Sequence, residues 1–162
     1  MELRKAKLQD IEKVTKYGLI LLKQHSDLDP YFTPIEAVEK VYRKFLEGCV
    51  HSADKLLLVA EINGELVGYA AGEIQARSPI FKIAEYGYIN DVFVEEEFRK
   101  LGIAREFLTA LKKWFESKGI KHVELSVLSN NEIGKKTWAK FGFETYEIKK
   151  RLEMRKLDLK AG

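Results

Sequence analysis

A short run of basic residues and a glycine separates an apolar segment from an amphipathic one. Arg99, Lys100 and Gly102 follow residues 92–94 and directly precede apolar residues at helical spacing. The N-terminus of a helix presents unpaired backbone N–H groups and a partial positive charge, so it suits a phosphate or pyrophosphate. Gly102 lets the backbone approach such a ligand closely, and the basic side chains, with Arg105, add charge. The residues alone predict an anion-binding strand–loop–helix.

Composition excludes several classes of protein. The chain has 162 residues, 46% hydrophobic and 33% charged, which predicts a single globular domain over residues 1–162. The 28 basic and 25 acidic residues leave a net charge of +3, too balanced to predict a nucleic-acid partner. Cys49 is the one cysteine, so we expect neither a disulfide nor a metal site. The charged N-terminus and the lack of an apolar run of ~20 residues predict no membrane partner and a cytoplasmic location.

Hydrophobic periodicity and turn residues predict an α+β fold. The predicted strands cover residues 2–5, 56–62, 65–71, 83–94 and 122–128, with one or two more over 143–157, and the predicted helices cover 11–25, 34–47, 104–118 and 131–141. Asn63-Gly64 is the preferred two-residue hairpin turn, so the strands on either side of it are antiparallel. Because a helix precedes residues 122–128, that strand should pair in parallel with the strand before the helix. The order β-αα-βββ-α-β-α-ββ predicts a mixed, mostly antiparallel central sheet flanked by helices.

The start of the second helix has its own sequence signature. Thr33, Pro34 and Glu36 have the spacing of a cap, a first helical residue and a capping box. Residues 25–32 would then form the loop before this helix, and Gly48 would end the helix.

Two sequence blocks resemble the GNAT superfamily of acetyl-CoA-dependent N-acetyltransferases. The first is R-x-x-G-x-A from Arg99 to Ala104, similar to the family's Q/R-x-x-G-x-G/A. The second is N-x-x-G-x-x-x-W-x-x-x-G-F beginning at Asn131, similar to N-x-x-A-x-x-x-Y-x-x-x-G-F. Both occur in the family's order and spacing between residues 88 and 143, and the rest of the chain is consistent with the family. The resemblance implies a GNAT-like fold and transfer of an acetyl group to a primary amine by direct nucleophilic attack.

The resemblance also implies a site for acetyl-CoA as cosubstrate, without a metal. Backbone groups of Val92 and Val94, on either side of Phe93, would receive the pantetheine arm like an added strand. The residues that would hold the pyrophosphate, mainly through backbone N–H groups, are Arg99, Lys100, Leu101, Gly102, Ile103, Ala104 and Arg105. The residues that would flank the lower pantetheine and the thioester are Asn131, Lys135 and Trp138.

The usual catalytic groups of the family are changed in this chain. Trp138 stands where the family often has a tyrosine acid, and an indole N–H does not protonate a thiolate. Asn90 replaces the glutamate of a Glu-Asp pair found in the polyamine branch, which the segment YINDVFV resembles. Asp91 is therefore the first catalytic candidate, as the group that takes the proton of the amine; the alternative is a strand carboxylate that faces solvent or accepts a hydrogen bond. Tyr88 is the second candidate, with packing on the sheet as its alternative.

The acceptor side of the family is built by the first two helices and their connection. His25, Asp27, Asp29 and Tyr31 lie there, and two close carboxylates suit a cationic amine; the alternative is a polar surface loop with turn chemistry at Asp29. A polyamine, another small amine and a protein amine all remain open as acceptors. Homodimer formation is also left open.

Other functions fit these residues less well. A P-loop needs glycine where Ser129 stands and serine or threonine where Lys136 stands, and the chain has no G-x-G-x-x-G. A non-catalytic CoA or acyl-CoA sensor is the alternative function, because Trp138 and Asn90 replace residues that some relatives use.

Overall fold

Five strands and four α-helices make up the computed structural model, which describes residues 1–158. The strands are β1 (Glu2–Lys5), β2 (Lys55–Ile62), β3 (Glu65–Ala76), β4 (Glu85–Val94) and β5 (Val123–Glu124). The helices are α1 (Ile11–Leu28), α2 (Val38–His51), α3 (Ile103–Ser117) and α4 (Glu132–Lys140). One compact unit runs from Met1 to Leu128 and holds the sheet and the first three helices; a second unit begins at Ser129 and holds α4. The single domain over residues 1–162 stays a prediction.

The sheet has the strand order β1-β2-β3-β4-β5 and is antiparallel except for its last pair. Asn63 and Gly64 have φ angles of 52° and 84°, the left-handed backbone that a two-residue hairpin turn requires, so the predicted hairpin is confirmed. β5 is parallel to β4, as predicted, but it is much shorter than residues 122–128. Within residues 1–158, it pairs with β4 only at Gly87 and Tyr88. The α+β class with a mostly antiparallel sheet is confirmed.

Helices cover both faces of this sheet. On one face, glycines let α3 lie close to the strands: a Cβ on Gly87 would be 2.5 Å from the ring of Phe115, and one on Gly72 would be 2.9 Å from Leu111. On the other face, α1 and α2 pack against the sheet. The buried residues of that core are Ala6, Ile11, Val14, Tyr17, Leu46, Cys49, Leu57, Val59, Tyr69, Ala71 and Phe93.

The connection between α1 and α2 differs from its prediction. Residues 25–28 form the last turn of α1 rather than a loop. A 3-10 turn, Pro30–Phe32, follows. The side chain of Asp29 stabilises its start by accepting a hydrogen bond from the N–H of Tyr31 (3.1 Å). Thr33 does not cap α2: its hydroxyl donates to the carbonyl of Pro30 (2.6 Å), and α2 begins only at Val38.

Gly48 does not end α2, which continues to His51. The continuation keeps Cys49 in the core, where it is 4% exposed. Glycine inside a helix costs only about 1 kcal/mol, which this packing offsets.

The strands predicted over residues 143–157 are wrong, because residues 129–158 contain no strand; only a 3-10 turn, Met154–Lys156, forms after α4. An alternating sequence makes a strand only where a neighbouring strand and a buried face are available. Here Tyr146, Ile148 and Leu152 are 67%, 77% and 52% exposed. The final ββ of the predicted order is therefore corrected.

Candidate active site

A β-bulge interrupts β4 at Asn90. Ile89 lies opposite Gly72 and Asp91 lies opposite Ala71, so Asn90 is an extra residue on β4. Bulges of this kind re-aim side chains and are common beside active sites.

The bulge decides which backbone N–H groups face the side of β5. The N–H of Gly87 points to that side and donates to the carbonyl just before β5 (2.9 Å). The N–H of Glu95, an even number of residues later, points the opposite way and donates to a carbonyl of β3 (2.9 Å). Because N–H directions alternate along a strand, the bulge has reversed the alternation, and Val92 and Val94 direct their N–H groups toward the side of β5. Within residues 1–128 no strand pairs with that side of β4 beyond Tyr88.

The chain leaves this open side of β4 through a loop with two left-handed residues. Arg99 Nε donates to the carbonyl of Val94 (3.2 Å), which ties the loop to the end of the strand. Lys100 and Gly102 have φ angles of 66° and 87°. A Cβ on Gly102 would meet nothing within 4 Å, so the backbone conformation, rather than crowding, favours glycine there. Leu101 is 66% exposed.

The N-terminus of α3 carries backbone donors without a side-chain cap. Gly102 is the N-cap, and the helical ladder begins with the N–H of Glu106, which donates to the Gly102 carbonyl (3.1 Å). The N–H groups that precede the ladder belong to Ile103, Ala104 and Arg105. This arrangement suits an anion, as the sequence predicted for the loop.

Asp91 lies beside two tyrosines on the face covered by α1 and α2. The hydroxyl of Tyr42, on α2, donates to Asp91 Oδ2 (2.6 Å) and lies 2.9 Å from the hydroxyl of Tyr69, on β3. Burial raises the pKa of the Asp91 carboxyl above its usual value, although the hydrogen bond from Tyr42, the nearby hydroxyl of Tyr69 and the charge of His25 act to lower it. A half-buried carboxylate with a raised pKa is suited to accept a proton. Asp91 therefore accepts hydrogen bonds rather than facing open solvent.

A second carboxylate lies on the neighbouring strand. Glu73 of β3 accepts hydrogen bonds from the amides of Asn90 (3.1 Å) and Gln75 (2.7 Å) and pairs with Lys55 (3.2 Å). Burial raises the pKa of Glu73, but these partners together hold it below its usual value. Asn90 thus donates a hydrogen bond to a carboxylate supplied by β3.

Tyr88, the second catalytic candidate, donates its hydroxyl to Ser126 Oγ (2.9 Å), in the segment after β5. Its neighbour Tyr86 donates to Gln75 (2.6 Å) and stacks under Arg77 (4.4 Å from the ring centre). Both hydroxyls have partners on adjacent strands or segments, and a catalytic role for Tyr88 stays a prediction.

The predicted acceptor residues lie at the end of α1 and in the turn after it. His25 packs the edge of its ring on Phe32 (5.0 Å), and its charge acts on Asp91. Tyr31 also packs edge-on against Phe32 (5.2 Å) and is 70% exposed. Their binding of an acceptor stays a prediction.

The two predicted acceptor carboxylates have local partners. Asp27 pairs with Lys23 on the surface of α1 (2.7 Å), an exposed pair of little energetic value. Asp29 starts the 3-10 turn. Their binding of a cationic acceptor stays a prediction.

The second unit holds three residues predicted to bind the cofactor, and each has a local role. Asn131 caps α4 by accepting the N–H three residues later (2.8 Å). Lys135 donates to the carbonyl of Ser129 (2.8 Å). Trp138 packs edge-on against Phe143, with ring centres 5.4 Å apart. Their contacts with pantetheine stay predictions.

Residues 1–158 contain neither a membrane-spanning helix nor a group of metal ligands. No helix there is long and apolar enough to cross a membrane, and no three His, Cys, Asp or Glu side chains are grouped so that they could hold a metal ion. Burial raises the pKa of Cys49 to about 11, so its thiol stays protonated at neutral pH. The cytoplasmic location and the homodimer stay predictions.

Comparison with known proteins identifies the same family that the two sequence blocks resemble. A model of the Acetyltransferase (GNAT) family matches residues 21–143, and the chain belongs to this family. It is 25% identical over 151 residues to an N-alpha-acetyltransferase of Sulfurisphaera tokodaii, over 90% of this chain and 81% of that protein. Related proteins therefore support an acetyltransferase.

Two solved structures share the fold. The tetramutant of the BH1408 protein from Bacillus halodurans superposes with a TM-score of 0.83 at 19% identity, over 94% of this chain and 99% of that one. AAC(6')-Iy in complex with the bisubstrate analogue CoA-S-monomethyl-acetylneamine superposes with a TM-score of 0.71 at 18% identity, over 94% of this chain and 96% of that one.

Proposed function

We propose that this protein transfers an acetyl group from acetyl-CoA to a primary amine. One observation carries the proposal: the open side of β4, with the N–H groups of Val92 and Val94, runs directly into a loop and the uncapped N-terminus of α3. Pantetheine carries amides that can pair with an open strand edge, and its pyrophosphate suits the helix N-terminus. The CoA analogue in AAC(6')-Iy supports the same cosubstrate here.

The reaction needs no covalent intermediate on the protein. The lone pair of the amine nitrogen forms a bond to the thioester carbon, the C–S bond breaks, and CoA leaves as a thiolate that solvent protonates. A backbone N–H of Val92 or Val94 stabilises the oxyanion, a contribution typically worth ~10²–10³ in rate. A thiol has a pKa near 8.5, so its departure does not depend on a tyrosine at Trp138.

The amine must lose a proton, and Asp91 is the group we assign to take it. A lysine-like amine has a pKa of ~10.4, so holding it neutral at pH 7 costs roughly 4–5 kcal/mol. Burial makes Asp91 a stronger base than an exposed aspartate, and Asp91 directly precedes Val92 in the chain. The proton passes from the amine to Asp91 and then to solvent.

The acceptor is a primary amine of a small molecule or of a protein. The relative from Sulfurisphaera tokodaii is named an N-alpha-acetyltransferase, and acetylneamine forms part of the ligand of AAC(6')-Iy. Of the four residues that we expect to bind the acceptor, His25 has the strongest support, because its charge acts on Asp91. The other three are Asp27, Asp29 and Tyr31.

An amine panel tests the proposal. The protein is incubated with acetyl-CoA and, in turn, a polyamine, an aminoglycoside, free lysine and peptides with a free N-terminus, and the released CoA thiol and the acetylated product are measured. We expect amine-dependent thiol release with at least one class. Acetyl-CoA that raises the Tm without thiol release in any arm would instead support the sensor function.

A matched pair of variants tests the site. Gly102→Asp places a carboxylate at the N-cap of α3, where it competes with the phosphates for the same N–H groups, so CoA binding should be lost. Gly119→Asp is the control: Gly119 also has a positive φ (76°) and no atom within 4 Å, but it follows the C-terminal end of the helix. That end lies about 22 Å from the proposed phosphates. Equal CoA affinity in the two folded variants would contradict the assignment of the loop.

A further inference from the structure

Gly18 of α1 makes room for the ring of Tyr42. A Cβ at Gly18 would lie 1.9 Å from Tyr42 Cε1 and 2.7 Å from its hydroxyl oxygen, so no larger residue fits without displacing the ring. The ring therefore passes close to α1 while its hydroxyl reaches the sheet. This contact fixes the position of the hydroxyl beside Asp91.

The two tyrosines form a chain of hydrogen bonds with a single direction. Each phenol has one proton to donate. Tyr42 donates its proton to Asp91 Oδ2 (2.6 Å), so at the 2.9 Å contact with Tyr69 it must be the acceptor. Burial raises the pKa of both phenols, which keeps both protonated. Both O–H groups are thus oriented toward the carboxylate.

We propose that Tyr42, supported by Tyr69, is a positioning residue for the acceptor amine: it fixes the orientation of the Asp91 carboxylate and favours its charged form. Asp91 as the base rests on the proposed function, but the hydrogen bonds to its carboxylate do not. Burial works against the negative charge, and donated hydrogen bonds favour it. The net effect is a raised pKa, so Asp91 is more basic than a fully solvated aspartate, and the donated hydrogen bonds limit that rise.

The other titratable groups around Asp91 are few. The charge of His25, on α1, acts on Asp91, and the Cys49 thiol on α2 lies near enough for the charge of Asp91 to raise the pKa of that thiol. Glu73, two residues beyond Ala71 on β3, is held by its own partners. Because His25 and Cys49 interact electrostatically with Asp91, the test must follow the Asp91 carboxyl itself.

The test is a pH titration of the Asp91 carboxyl carbon by ¹³C NMR, in the protein without cosubstrate, assigned by its loss in Asp91→Asn. Tyr42→Phe keeps the ring beside Gly18 and removes only the hydroxyl. Losing a hydrogen bond to the charged form should raise the titration midpoint by about one to two pH units. Tyr69→Phe removes the supporting donor and should raise the midpoint by less.

Tyr17→Phe is the matched control. Tyr17 is 3% exposed, and its hydroxyl lies 2.6 Å from Glu95 Oε1 and also contacts the carbonyl oxygen of Leu66. Its removal deletes a buried phenol from the same core and should lower the Tm without moving the Asp91 midpoint. An unchanged midpoint in folded Tyr42→Phe, or an equal shift in Tyr17→Phe, overturns the proposal.

The pH dependence of kcat/KM tests whether the charge of Asp91 matters for acetyl transfer. The acidic limb of kcat/KM against pH should move upward in Tyr42→Phe by the same amount as the NMR midpoint. A midpoint that moves while the limb stays in place overturns the positioning role. If no amine is acetylated at all, the proposed function fails, whereas the NMR comparison still decides whether Tyr42 and Tyr69 set the charge of Asp91.

Discussion

Replacing Asp91 by asparagine should separate stability from activity. Asparagine keeps the shape and can still accept the Tyr42 hydrogen bond, but it carries no charge. Burial is the largest influence on Asp91 and raises its pKa, so the ionised carboxylate opposes folding. Asp91→Asn should therefore be at least as stable as the wild type at pH 8, while kcat/KM falls by ~10²–10⁴ if Asp91 is the base.

The pH dependence gives the sign of this effect. The pKa of Asp91 is higher in the folded than in the unfolded protein. The destabilisation that the ionised carboxylate causes is therefore absent well below pH ~4 and complete above the folded pKa. The Tm of Asp91→Asn minus that of the wild type should accordingly rise with pH from about 4 and then level off. Each unit by which the pKa is raised corresponds to about 1.4 kcal/mol, or roughly 3–6 °C for a chain of this size.

Glu73→Gln is the control with the opposite sign. The pKa of Glu73 is lowered, so its ionised form stabilises the fold above pH ~4 and this stabilisation is lost in acid. The Tm difference between Glu73→Gln and the wild type should be negative near pH 7 and shrink as the pH falls. A Tm difference for Asp91→Asn that does not change with pH, or that falls as the pH rises, would show that folding does not raise the pKa of Asp91.

Three further predictions concern packing and the acceptor. Gly18→Ala should displace the ring of Tyr42 and destabilise the protein by about 1–3 kcal/mol in denaturant unfolding; wild-type stability would show that the ring does not need this space. Trp138→Phe should lower the Tm by a few degrees and leave the shape of the pH–rate profile unchanged, because the indole packs on Phe143; a lost ionisation limb would contradict this. Asp27→Asn and Asp29→Asn should raise the KM for a cationic acceptor and spare kcat, and an unchanged KM would remove both from the acceptor site.

The parts of the fold that local sequence determines were predicted well. Asn63-Gly64 sets a hairpin by its own backbone preference, and the apolar stripe of α3 reflects a face that packs on the sheet. The strands predicted over residues 143–157 failed because an alternating pattern states a preference for a strand but does not supply its partner. For the same reason, β5 is shorter than its apolar run.

In the candidate site too, the features that depend on neighbouring residues could be predicted from the sequence, and those that depend on distant residues could not. The loop at Arg99–Lys100 and the start of α3 are contiguous in sequence, so their residue types predict an anion-binding site directly. Tyr42 and Asp91 are 49 residues apart, and no periodicity relates them. The bulge at Asn90 is likewise a matter of register between β3 and β4, which sequence alone does not specify. These long-range features decide the charge of Asp91 and the direction of the strand's N–H groups.

The most direct test of the site follows the backbone amides of ¹⁵N-labelled protein during titration with acetyl-CoA. The N–H groups of Val92 and Val94, and those of the first residues of α3, should shift strongly and become protected from solvent exchange. The N–H of Phe93 points to β3 and should change much less. Strong binding of acetyl-CoA that leaves Val92, Val94 and the start of α3 unperturbed would contradict the account.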